Sequence, residues 1–272
     1  MLSEPRTYQY SIFRLVLLIV VLLLLGIVPF LILGESGFPY MFFSLAFIGL
    51  IILISIYALT RSTTISNDRI STRSLLGERS LNWSEIDSVS GRGNAIKLHN
   101  RDGDVTVAPS PHLPGYPDVI EMIGAKRPDL FHPARYGVMT RNWLNSLLFL
   151  MIGISLIGVG FFLYLESNET VMPILFLAFV VLGFIVSIFT SVLSLRLDSS
   201  ALTVQYLLRK TLLKTNDIHS IVLGATQTRT GKNYHVMLFT NHNRMIRFSG
   251  IGPSLPVVYL VLKTWHQGNA RS

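Results

Sequence analysis

Two stretches of the chain decide its fold: ISNDRISTRSLLGERSLNWSEIDSV at residues 65–89 and LDSSALTVQYLLRKTLLKTNDIHSI at residues 197–221. They align without a gap at a shift of 132 positions, which places residue 65 on residue 197. Seven apolar positions of the first stretch fall on apolar positions of the second, and the identical ones include Leu75, Leu76, Leu81 and Ile86. Self-similarity at one fixed shift indicates an internal duplication. We therefore divide the chain near residue 135 into two copies of one unit.

Each copy begins with a pair of uncharged, apolar segments. These segments are residues 15–33, 41–59, 147–165 and 174–193. Each is close to the ~20 residues that a helix needs to cross a ~30 Å hydrocarbon core. None shows the polar face that is typical of an amphipathic helix in a globular domain. The sequence therefore predicts four transmembrane helices in two hairpins.

The distribution of charge predicts an orientation for these hairpins. The two short loops within them, residues 34–40 and 166–172, contain three Glu and no basic residue, so all 23 Lys and Arg lie on the other side. Positively charged flanks stay cytoplasmic. We expect a multi-pass protein of the inner (cytoplasmic) membrane with both termini and both polar regions in the cytoplasm. The chain contains no cysteine, which excludes disulfides and thiolate metal sites.

The polar region that follows each hairpin is typical of a small α+β domain. Short alternating segments are separated by turn signals, of which Asp102-Gly103 is characteristic of a β-hairpin. Pro117 opens a short helix that we expect Gly124 to end. A second helix, at residues 255–265, closes the other copy. The predicted fold class is therefore membrane α-helical plus α+β.

The run LNWSEI at residues 81–86 follows two strands joined by a turn, and LKTNDI at residues 213–218 holds the same place in the second copy. This arrangement resembles the bacterial pleckstrin-homology-like (PH-like) family, whose members often carry paired apolar segments before the domain. The resemblance covers about residues 61–131 and 195–267. It implies a bent, partly open β-barrel with a C-terminal helix in each copy. The expected domains are transmembrane hairpin 1 (1–60), PH-like domain 1 (61–135), transmembrane hairpin 2 (136–195) and PH-like domain 2 (196–272).

Patterns that indicate catalysis or transport are incomplete in this chain. The run GATQTRTGKN at residues 224–233 departs from a phosphate-binding P-loop at Thr226 and Asn233, and it precedes a strand instead of a helix. The seven histidines show no metal-ligand spacing. The apolar segments hold no ionisable residue that would mark a transport pathway. We expect no enzyme activity, cofactor, metal, nucleic acid or small-molecule substrate.

Two groups of residues are candidates for interaction or lipid contact. Trp83 is one, because the second copy has Thr215 in its place and the copies are then not equivalent. The basic candidates are Arg209, Lys210 and Lys214, with Arg229 and Lys232 on a predicted hairpin tip. A basic residue near an anionic bilayer contributes ~1 kcal/mol of attraction. The sequence favours a non-catalytic scaffold or accessory subunit with a protein partner, held at the lipid bilayer. The alternative is a membrane-surface sensor that binds anionic lipid through these basic loops.

A pair of adjacent leucines recurs at a predicted strand end, as Leu75-Leu76 and Leu207-Leu208. In an alternating strand only one of two adjacent side chains faces the core. The other can contact lipid, the sister copy or a partner. We favour packing between the two copies.

Overall fold

The computed structural model describes residues 4–11, 13, 16–17, 19–22, 38–141, 143–166, 171–228, 231–241 and 243–269. In chain order its main elements are β1 (Arg6–Gln9), α1 (Phe38–Leu59), β2 (Ser62–Ile65), β3 (Arg69–Ser74), β4 (Gly77–Asn82), β5 (Ile86–Ser90), β6 (Lys97–Asn100), β7 (Thr106–Val107), α2 (Tyr116–Lys126), β8 (Val138–Thr140), α3 (Trp143–Glu166), α4 (Val171–Thr190), β9 (Val192–Leu197), β10 (Ala201–Tyr206), β11 (Lys210–Lys214), β12 (Ile218–Thr228), β13 (Gly231–Thr240), β14 (Met245–Phe248) and α5 (Leu255–Asn269). Antiparallel sheets dominate this architecture.

The chain forms two compact units. Unit 1 comprises Met1–Val89 with Lys97–Met122, and unit 2 comprises Ser90–Ile96 with Ile123–Ser272. Unit 1 contains a sheet of order β1-β2-β3-β4 and a sheet of order β5-β6-β7. Unit 2 contains a sheet of order β8-β9-β10-β11 and a sheet of order β12-β13-β14. The boundaries that we expect from the sequence, at residues 60, 135 and 195, stay predictions.

The strand pairing repeats in the structure at the same shift of 132 positions as the sequence. In unit 1, Ile65 pairs with Ile70 and Arg69 pairs with Asn82. In unit 2 the residues 132 positions later pair in the same way, because Leu197 opposes Leu202 and Ala201 opposes Lys214. A 3-10 turn follows each time, at Trp83–Glu85 and at Thr215–Asp217. A one-residue slip in register would turn every side chain to the other face of the sheet. The matched registers therefore give equivalent positions equivalent faces.

Each four-stranded sheet includes a strand that the sequence analysis does not predict. β1 lies before the first pair of apolar segments and pairs with β2, so that Thr7 opposes Thr64. β8 lies before the second pair and joins β9, so that Met139 opposes Leu195. Both strands are short, and their partners lie beyond an intervening helical region, which leaves no local hairpin signal to detect.

The core of each unit is built by the inner faces of its sheets and by a helix. In unit 1 the fully buried residues on the sheets include Ile65, Ile70, Ile86 and Leu98. In unit 2, α5 is buried along most of its length, from Leu255 to Leu262. Alternation along the strands accounts for this, since every second side chain points inward.

Gly124 does not end α2, which continues to Lys126. Its function is close packing within unit 2: a Cβ at this position would stand 2.5 Å from Leu260 Cδ2. The expectation that Gly124 is a helix stop is therefore wrong. The absence of a side chain lets α2 and α5 approach each other.

The membrane prediction requires a correction. In the part of the chain that the structure describes, no helix combines the length and the apolarity that crossing a bilayer requires. Most of the predicted segment 15–33, and most of the loops 34–40 and 166–172, lie outside the described residues. The four-helix membrane fold is wrong on this finding, as are the multi-pass inner-membrane location and the cytoplasmic orientation derived from it.

Candidate interaction surface

The outer face of β11 combines basic and apolar side chains. Lys210, Leu212 and Lys214 alternate along the strand and are all exposed, whereas Leu213 between them is buried. Period-two alternation puts the three exposed side chains on one face. β11 also ends its sheet in the order β11-β10-β9-β8, so one of its edges lies open among the described strands. We call Arg209, Lys210, Leu212 and Lys214 the basic edge.

The first copy has a different face at the same positions. The matched registers place Glu78, Ser80 and Asn82 of β4 where β11 has Lys210, Leu212 and Lys214. Glu78, Ser80 and Asn82 are exposed as well. Solvent exposure of the strand face does not by itself require two lysines, one on either side of a leucine that is 62% exposed. The basic edge is therefore a property of unit 2 and is not required by the fold that both copies share.

One carboxylate adjoins the basic edge, since Asp217 Oδ2 accepts a hydrogen bond from the backbone N–H of Lys214 at 3.1 Å. Within the described residues, Arg209, Lys210 and Lys214 form no ion pair. Arg209 instead stacks over the ring of Tyr206, with its Cζ 4.4 Å from the ring centroid. Such a cation–π contact holds the guanidinium in place without neutralising it. An acidic ligand would therefore meet three unpaired cations on one strand and its turn.

The recurring leucine pairs occupy hairpin turns, and we call each pair a leucine tip. Leu75 and Leu76 connect β3 to β4 and are 59% and 85% exposed. Leu207 and Leu208 connect β10 to β11 and are 49% and 79% exposed. Turns of this kind normally carry Gly, Asn, Asp or Ser. Two large apolar residues at each tip are therefore unusual, and in unit 2 they adjoin the basic edge.

Trp83 lies in the core of unit 1. Its side chain is 7% exposed, and its indole Nε1 donates a hydrogen bond to the backbone oxygen of Ser66 at 3.1 Å. Thr215 has the equivalent position in unit 2, where its hydroxyl donates to the Ser200 carbonyl at 3.1 Å. Both residues thus tie the 3-10 turn to the preceding hairpin. Trp83 belongs to unit 1, whereas the basic edge belongs to unit 2.

The two remaining basic candidates are Arg229 and Lys232. Arg229 is outside the described residues. Lys232 is half-buried and pairs with Gln227 on the opposite strand of the β12–β13 hairpin. Lys232 therefore lies on a paired strand and not on the predicted hairpin tip.

A polar cluster around the buried His235 lies on the three-stranded sheet of unit 2. His235 is 5% exposed, and its Nδ1 lies 3.1 Å from a guanidinium nitrogen of Arg247. The same guanidinium donates to Thr226 Oγ1 at 3.2 Å. Burial, and next the charge of Arg247, lower the pKa of His235 below its usual 6.5. The neutral imidazole can then accept the Arg247 hydrogen bond, so this cluster is a structural one.

In the described ranges, no group of His, Cys, Asp and Glu is arranged to hold a metal ion. No protein-family model matches the chain, and no curated protein matches it significantly. The resemblance to PH-like domains therefore stays a prediction from the sequence. The sequence indicated Arg209, Lys210 and Lys214 as candidates but not Leu212. The pattern that points to Leu212 is its position between two lysines in an alternating strand.

Proposed function

We propose that this protein is a non-catalytic interaction module and that the basic edge binds an extended, acidic segment of a protein partner. The observation that supports this most is the contrast between the copies, since the basic edge replaces the acidic and polar face of β4 at matched positions. The two copies keep the same strand register, and this exposed face is one of the places where their side chains differ in charge.

The geometry of β11 suits an extended segment. An open sheet edge offers backbone N–H and C=O groups to an added strand, and side chains on alternate positions select its sequence. Lys210 and Lys214 are four residues apart and flank Leu212, so a complementary strand would carry two acids around one apolar residue. Lysines on an edge strand also oppose pairing with a second copy of the same edge, which favours an acidic partner over self-association.

Peptide binding to the full chain tests the proposal. An alternating Glu/Val peptide should bind the protein in a fluorescence anisotropy titration, and its affinity should fall as salt is raised because exposed charges are screened. The variant Lys210→Glu/Lys214→Glu should bind at least about tenfold more weakly, since two attractive contacts become repulsive. The matched control is Lys97→Glu/Arg101→Glu, which makes the same change in net charge on exposed positions of unit 1. Equal loss in both double variants would contradict the proposal.

A second candidate function is contact with an anionic lipid surface, which the leucine tip of unit 2 favours. Leu208 is 79% exposed and stands next to Arg209 and Lys210. Burying a leucine contributes ~1.5–3 kcal/mol, and each nearby cation adds ~1 kcal/mol. Sedimentation with phosphatidylglycerol-containing vesicles tests this candidate: Leu208→Ser should abolish vesicle binding and leave peptide binding unchanged. Vesicle binding that survives Leu208→Ser would eliminate it.

A further inference from the structure

Unit 1 contains a polar cavity beside its leucine tip, since Leu76 is among the lining residues. Its volume is about 300 Å³, within the range of small-ligand sites. Residues from α1, β2, β3, β4 and the β7 segment line it. The charged residues of the lining are Arg61, Arg73, Arg79 and Glu78, so three guanidinium groups meet one carboxylate. Within the described residues these three arginines form no ion pair.

One row of the four-stranded sheet supplies polar groups to the inside of unit 1. Thr63 opposes Thr72, which in turn opposes Arg79. Each stands two positions from a buried apolar residue of the neighbouring row, formed by Ile65, Ile70 and Leu81. Side chains two apart in a strand share a face. The row therefore lies on the inner face of the sheet, at the opposite end of β2 and β3 from the turn that joins them. Thr63 is buried and Thr72 is half-buried, whereas Arg79, on the last strand of the sheet, is exposed.

The hydroxyl of Thr63 has no partner in the described structure. Thr63 is 1% exposed, and its Oγ1 is buried without a hydrogen bond. Buried polar groups are nearly always hydrogen-bonded in native proteins, because leaving one unpaired is unfavourable. Thr63 lines the cavity, so a ligand in the cavity is placed to satisfy it.

Unit 2 shows that the fold does not need a polar row here. The matched registers place Leu195, Val204 and Thr211 at the positions of Thr63, Thr72 and Arg79. Leu195 and Val204 are fully buried. Aliphatic side chains thus pack well at these positions in the same architecture. Unit 1 keeps the hydroxyls of Thr63 and Thr72 where its duplicate has two buried aliphatic side chains.

Arg61 is held in position at the mouth of the cavity. Its guanidinium lies 4.5 Å from the centroid of the Tyr57 ring and donates to the Tyr57 hydroxyl at 2.6 Å. Stacking fixes the plane of the guanidinium and leaves its other N–H groups for a ligand. A planar, fixed guanidinium is suited to two parallel hydrogen bonds with an oxyanion.

We propose that this cavity binds the phosphate group of a small ligand, with Arg61 and Arg79 as cationic donors and Thr63 and Thr72 as hydroxyl donors. The net positive lining requires an anion, and the fork geometry of arginine matches phosphate oxygens. This site is independent of the basic edge, and it departs from the expectation of no small-molecule ligand. The phosphate can belong to a soluble compound or to a lipid headgroup, which share this chemistry.

Calorimetric titration of the full chain tests the proposal, with inorganic phosphate and glycerol 3-phosphate as soluble probes and phosphatidylglycerol vesicles as the lipid probe. Arg79→Gln should weaken binding at least about tenfold, because it removes charge-assisted hydrogen bonds. The matched control is Arg69→Gln, an exposed arginine at the far end of β3, and its binding should equal that of the wild type. If the soluble probes bind and Arg79→Gln weakens that binding, the proposal is supported. If only the vesicles bind and Arg79→Gln weakens that binding, the proposal is supported and the phosphate belongs to a lipid headgroup.

A second variant separates ligand binding from folding. In Thr63→Val the valine has nearly the same shape as threonine but lacks the hydroxyl. The substitution gives unit 1 an aliphatic side chain at this position, as unit 2 has at the matched position. It should raise the melting temperature of the ligand-free protein, because an unpaired buried hydroxyl is removed, and should lower phosphate affinity. No binding of any probe by the wild type, or equal losses in Arg79→Gln and Arg69→Gln, would overturn the proposal. A Thr63→Val protein that is less stable without ligand would also contradict it.

Discussion

Replacing Trp83 by alanine should destabilise unit 1 severely without any loss of a partner contact. The side chain is 7% exposed, and its indole nitrogen is bonded to the backbone of Ser66. Truncation of a buried tryptophan costs ~3–5 kcal/mol in transfer and cavity terms. Trp83→Phe keeps most of the apolar volume and loses the hydrogen bond, so it should cost ~1–2 kcal/mol. The effect on stability therefore exceeds that of any exposed contact.

Urea unfolding of the full chain, followed by far-UV circular dichroism, measures this difference. The midpoint should fall in the order wild type, Trp83→Phe, Trp83→Ala, with a resolved early transition when one unit is weakened. The matched control is Thr215→Ala in unit 2, which removes one hydroxyl bond and should cost ~1 kcal/mol. A Trp83→Ala protein within ~1 kcal/mol of wild type would refute the buried placement. Loss of a partner from this variant would report unfolding, so the basic edge is the better place to test binding.

Two further predictions follow from packing and from titration. Gly124→Ala should lower the melting temperature, because overpacking against Leu260 costs ~1–3 kcal/mol, whereas Gly268→Ala in α5 meets no atom and should be neutral or stabilising by up to ~1 kcal/mol. Because the pKa of His235 is lowered in the folded protein, the unfolded chain binds a proton first as the pH falls below about 6.5. The stability that this group contributes is therefore present above pH 6.5 and is lost as the pH falls through the folded pKa. Melting curves from pH 8 to 5 should therefore decline less steeply for His235→Gln than for wild type, and identical slopes would contradict the assignment.

The sequence predicted the strands best where turn chemistry is local. Asp102-Gly103 was placed correctly between β6 and β7, and Gly103 has the positive φ of 77° that such a turn requires. Residues that are 132 positions apart in the sequence also have equivalent partners in the strand pairing of the two units. β1 and β8 escaped prediction because their partners are distant in the chain, and strand pairing at long range leaves little trace in composition.

The candidate sites differ in how far the sequence could indicate them. The basic edge was partly visible, because alternation and charge are properties of one strand. The cavity of unit 1 was not visible, since Thr63 and Thr72 look like ordinary strand residues until the register puts them in one inward row. The membrane prediction is wrong for a different reason: it rested on uncharged apolar runs, and the described residues contain no helix that is long and apolar enough to cross a bilayer.

Site-specific photocrosslinking in cells tests the central proposal most directly. A photoreactive amino acid at position 212, on the basic edge, should capture a discrete partner, and the same residue at position 80, the matched position of β4, should not. Lys210→Glu/Lys214→Glu should remove the adduct formed from position 212. Equal crosslinking from positions 80 and 212, or an adduct that persists after the charge reversal, would contradict the account.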